Sequence, residues 1–169
     1  MVAPIICVGA LFLSPGYSSD VEWYSMGSVM TALGSDPTMH GIAVIISAIA
    51  FVFYAYALLD IRDSMSGGAG ETYAKLGVFI VAIGVAGVVV ESGLQAAAAE
   101  AAGMGGGHGI TSGAALIAAA KGVGIVASAM SFLGLGLVGI AILVQKNFNI
   151  ILGILLVAVG AFGFYASVS

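Results

Sequence analysis

The run GVAGVVVESGLQAAAAEAAG, residues 84–103, sets Glu91 directly after three valines in a segment otherwise apolar enough for a bilayer. A carboxylate at such a depth must be protonated, paired or turned toward a polar lining, and residues of this kind mark ion and proton pathways. Gln95 stands one helical turn further on, so its amide shares a face with Glu91. Glu100 and Lys121 complete the set of polar residues that could meet there, with Ser92 and Ser128 as local donors. Two chemistries compete. A small transporter or channel component could use Glu91 as its ion-carrying group, but one carboxylate without a second protonatable group in the span makes a poor relay. The favoured expectation is a structural polar cluster of Glu91, Lys121, Gln95 and Glu100, with Lys121 as chief partner of Glu91 and Gln95 as a second donor.

Two histidines and seven methionines invite a metal reading. His40 follows Met39, and His108 follows Met104 at four residues' distance. Imidazole and thioether both suit copper. The spacing does not support it: Met104 to His108 reads as a glycine-rich loop, and no HxxxH, ExxH or paired-carboxylate pattern occurs. No metal ligand, cofactor or catalytic residue is therefore assigned. Phosphate loops, dinucleotide fingerprints, GxSxG and Cys/His nucleophile pairs are likewise missing from the sequence. Catalysis by this chain alone is not expected. Cys7 is the single cysteine, so no disulfide can form within the chain.

The elements that would position these groups follow from composition. Of 169 residues, 61% are hydrophobic and 7% charged, and mean hydropathy is +1.19. So few charges cannot clothe a soluble domain. The net charge of −4, without a basic patch, argues against nucleic acid. Four segments are long enough to cross a ~30 Å hydrocarbon core: residues 37–60, 73–102, 112–144 and 148–167. Asp36 reads as an N-cap, with Pro37 at the first helical position, where its missing N–H is harmless. Glycine-rich breaks at 64–70 and 103–109 separate the first three spans, and QKNFN makes a tight turn between the last two. The fold expected is all-α, a four-helix transmembrane bundle over 37–169. An outer or interfacial segment, 1–36, precedes it.

Arg62, Lys75 and Lys146 all fall on one side of that arrangement, which the positive-inside rule assigns to the cytoplasm. Both termini then lie outside a plasma-membrane protein. Tyr54, Tyr56, Tyr73 and Phe148 mark the inner edge, and Tyr17, Trp23, Tyr24 and Tyr165 the outer one. Residues 1–16, about twelve of them apolar, are too few to span and read as an outer segment lying on the bundle or a neighbour. Residues 21–33 carry Trp23, Met26 and Met30 on one stripe and read as a short interfacial helix. At 1.5 Å per residue, Glu91 lies about 24 Å along its helix from Lys75, and Lys121 about 36 Å from Gln145, so both fall in the outer half, with Lys121 at about the depth of Glu100 and reaching down on its long stem.

Glycines recur along the second, third and fourth spans. Small residues let helices approach closely in lipid, whether within the chain or with other subunits. The expected role is a non-catalytic accessory subunit of a multi-subunit membrane complex, with other transmembrane subunits and the bilayer as partners. Size, Gly/Ala/Val content and one membrane Glu are similar to rotor proteolipids. However, residues 41–60 lack the alternating glycines of such rings, the 61–72 loop lacks an Arg-Gln-Pro turn, and the two halves do not repeat. In composition and span count over residues 37–168, together with the Met39–His40 and Met104–His108 rim, the chain resembles the small accessory subunits of archaeal copper membrane monooxygenases of the ammonia monooxygenase type. That resemblance implies a supporting role in a membrane-bound monooxygenase or respiratory oxidoreductase, and no metal ligands transfer with it.

Overall fold

The computed structural model describes residues 25–146 and 148–169. Among them every regular element is a helix: α1 (Met26–Ser35), α2 (Pro37–Asp63), α3 (Glu71–Gly103), α4 (Gly106–Gln145) and α5 (Ile150–Val168). Helices α2 to α5 are each long and apolar enough to cross a membrane, with mean hydropathies of 2.5, 2.2, 2.3 and 2.3. The chain is an integral membrane protein. What was expected of residues 1–24, Trp23 included, lies outside the described residues.

The chain divides into two compact units, one of Met1–Phe51 with Val89–Val123, the other of Val52–Val88 with Gly124–Ser169. In the first unit, Ser25 caps α1 by accepting from the Ser28 N–H at 3.3 Å. Asp36 Oδ1 accepts from the Met39 N–H at 2.9 Å and so starts α2, as its position before Pro37 foretold. The core joins Met30 and Leu33 of α1 to Ala98, Ala99 and Ala102 of α3 and Ile117 of α4. Met30 is thus a core residue, while Met26, the middle member of the expected stripe, is exposed. Backbones come close here: a Cβ on Gly34 would lie 2.9 Å from the Ala102 carbonyl carbon, and one on Gly113 2.9 Å from the Ala98 oxygen.

Helix α4 begins at Gly106, six residues before the expected start at Ser112. The expected seven-residue loop shrinks to Met104 and Gly105. Gly105 and Gly106 have φ of +71° and +69° and make the turn, a conformation open to glycine without steric cost. Gly109 then sits so close to α3 that a Cβ would lie 2.6 Å from the Ala101 oxygen. Tertiary contact overrides the poor helix propensity of the glycines.

In the second unit α3 and α4 cross at Gly77 and Gly134. A Cβ on either would come within 2.7 Å of the other's carbonyl oxygen. Val81, Val138, Ala141 and Ile142 fill the space around that crossing and are fully buried. The α2–α3 turn is tied by Gln145, whose Oε1 accepts from the Gly70 N–H at 2.8 Å, and by Glu71, whose Oε2 accepts from the Gly67 N–H at 2.8 Å. Asn149 caps α5 through the Ile151 N–H at 2.9 Å. The only buried residues of α5 are Gly153, Gly160 and Gly163, while Phe162 is 74% exposed. An apolar surface of that kind belongs in lipid, where close backbone approach rather than hydrophobic drive holds helices together.

Candidate functional site

Burial on α3 follows one stripe: Ala74, Val78, Val81 and Val85, then Ala98 and Ala102. Between Val85 and Ala98 no residue of α3 is fully buried. That interval contains Glu91, Ser92 and Gln95, which lie on the same inward stripe by helical periodicity yet are only half-buried. Gln95 Nε2 donates to Glu91 Oε1 at 2.9 Å. This is the bond the four-residue spacing foretold. The second carboxylate oxygen and the Ser92 hydroxyl have no hydrogen-bond partner among the described residues.

The surroundings of this pair in the first unit can be read from helix register. Pro37 of α2 packs against Gly103 of α3, 3.0 Å from where a Cβ would stand. The helices run antiparallel, so ten residues along α2 from Pro37 and ten back along α3 from Gly103 bring Ser47 level with residue 93, between Glu91 and Gln95. Ser47 is at the centre of the inward stripe of α2, His40, Ala43, Val44, Ser47 and Ala50, and is 8% exposed. Its Oγ is buried with no hydrogen-bond partner among the described residues. Ser47 escaped the sequence reading: one serine in an apolar helix is unremarkable. The available signal was its place three and four residues from Val44, Ala43 and Ala50.

From α4, Gly113 packs on Ala98. Seven residues along each helix bring Ala120, 1% exposed, level with Glu91. Lys121 is therefore level with residue 90, about 15 Å short of the Glu100 level expected of it, and it is turned 100° from the seam and exposed. The expected ion pair is not formed. The ion pairs of the described residues are Arg62 Nη2 with Asp63 Oδ1 at 2.7 Å, and Lys75 with Glu71. Glu100, nine residues beyond Glu91, points to the opposite side of α3 and is exposed. The structure thus brings together Glu91 and Gln95 and leaves Lys121 and Glu100 apart from them.

His40 is 4% exposed in the first turn of α2, and His108 is exposed in the first turn of α4, on a helix rather than in a loop. Among the described residues no three of His, Cys, Asp and Glu are grouped as metal ligands would be. The polar notch can hold a proton, a cation or water. Comparison with protein families, with curated proteins and with solved structures returned no match for this chain.

Proposed function

We propose that this chain is a non-catalytic structural subunit of a multi-subunit membrane complex. One observation carries this reading: in the first unit, helices at the same depth present opposite kinds of surface. Helix α2 turns outward Ile42, Ile45 and Ile49, exposed by 47%, 56% and 51%. By the registers above, those residues are level with 91–98 of α3 and 113–120 of α4. There α3 turns outward Gly93 and Ala97, and α4 turns outward Ala115, Ala118 and Ala119, with Lys121 and Gly122 just beyond. Lipid is well met by isoleucine, whereas Gly, Ala and Ser on a membrane helix suit contact with another helix. The α2 side reads as lipid-facing and the α3/α4 side as subunit-facing. Membership of a monooxygenase or respiratory assembly rests on the compositional resemblance alone.

The orientation belongs to the same proposal: Arg62, Lys75 and Lys146 cytoplasmic, both termini outside, in the plasma membrane. A cysteine at Ser66 should resist impermeant thiol reagents in intact cells, and ready labelling refutes the orientation. The subunit reading is tested by Gly122→Leu. A Cβ at Gly122 meets nothing within 4 Å, so the chain itself should fold normally. Mild extraction should recover stoichiometric partner chains with the unaltered protein and lose them with Gly122→Leu, while Ile45→Leu keeps them. Recovery of a lone chain, or indifference to Gly122→Leu, refutes it.

A further inference from the structure

The notch on α3 contains more oxygen than the packing uses. Glu91 Oε1 is engaged by Gln95, which leaves Glu91 Oε2 and the Gln95 amide oxygen. The Ser92 hydroxyl lies on the same inward stripe. By the register of α2 on α3, the buried Ser47 hydroxyl of the inward stripe of α2 stands at the same level, without a partner among the described residues. A buried hydroxyl left unpaired is costly and calls for an occupant. The occupant must also answer for charge. Among the described residues no ion pair reaches Glu91, and Lys121 is turned away from it.

We propose that Ser47, Glu91, Ser92 and Gln95 bind one monovalent metal cation. The donors are all hard oxygens, which suit alkali ions and not the soft or imidazole-seeking transition metals. They bring a single negative charge, which one monovalent ion neutralises. A divalent ion would remain net positive in an apolar setting and asks for more carboxylate than is present. Glu91, Ser92 and Gln95 are only half-buried, so their oxygens are not sealed off by the packing of the first unit. This inference is independent of the subunit reading: an accessory subunit and a transport component could each hold such an ion.

The test uses the full chain, purified in mild detergent with whatever partners accompany it, at fixed ionic strength and pH. Thermal unfolding is followed in sodium, lithium, potassium and choline chlorides. At least one alkali ion should raise Tm over choline in a saturable manner. Ser47→Ala only removes the orphan hydroxyl, so it should fold and yet raise the half-saturating concentration about tenfold or more. Glu91→Gln, near in shape and able to keep a bond to Gln95, should abolish the ion dependence. Equal Tm in all four salts overturns the proposal, because the notch then holds water or a proton. Ion dependence that survives both substitutions overturns it too, since the ion then binds elsewhere. Partner loss on Gly122→Leu has no bearing on either result, so the two readings fail separately.

Discussion

The contact between α4 and α5 makes a sharp demand on two glycines that face each other. A Cβ on Gly160 would lie 2.6 Å from both Cα and N of Gly136 and 2.8 Å from the Phe132 oxygen. Carbon atoms sit comfortably at about 3.5–4.0 Å, so the helices would have to part by roughly 1 Å. Overpacking of this sort costs about 1–3 kcal/mol. The reciprocal change is different, because a Cβ on Gly136 would find its nearest neighbour, Gly160 Cα, at 3.8 Å. Gly136→Ala thus meets ordinary contact and gains about 0.5–1 kcal/mol in helix preference. That preference is gained by both substitutions and cancels, so they should differ in stability by the overpacking cost, about 1–3 kcal/mol, with Gly160→Ala the weaker protein. Far-UV circular dichroism during titration of mixed micelles with a denaturing detergent measures the difference. Equal losses, or a larger loss for Gly136→Ala, would refute the reasoning from backbone approach.

Other residues make demands of the same kind. Asp36→Ala should weaken the chain by about 0.5–2 kcal/mol and speed exchange of the Met39 amide, whose acceptor is removed; unchanged exchange would deny the cap its role. Gln145→Leu strands the Gly70 N–H and should cost about 1–3 kcal/mol, visible as easier proteolysis of the α2–α3 turn. Met30→Ala opens the fully buried contact of α1 and should cost about 2–5 kcal/mol, with α1 becoming the first segment to yield to protease.

What could be read in the sequence was whatever depends on one helix at a time. Asp36 before Pro37 announced a helix start, and Glu91 with Gln95 one turn on announced a shared face and a bond. Distance along one helix was legible as well, because rise per residue is fixed. Register and azimuth between helices were not. Lys121 was expected level with Glu100 and facing Glu91; it stands level with residue 90 and on another side, since where and on which face α4 meets α3 is decided by where Gly109 and Gly113 let the backbones touch. The same contact extends α4 back to Gly106, through glycines whose own preferences argue for a loop. Ser47 needed both helices at once: its significance is the absence of a partner in a buried position, and no single segment reveals that.

The glycine-only footing of α5 also bears on how the chain is made. A helix that turns most of its bulky side chains outward can sit in a bilayer before it has met any neighbour, and nineteen residues are about enough to hold it there. Docking is then a second event, in which preformed helices find each other by shape. Such a helix need not be covalently continuous with the rest. Residues 1–146 and 148–169 made as two polypeptides in one membrane should find each other and reconstitute the protein, and the turn between α4 and α5 becomes a natural place for a cut, a tag or a fusion.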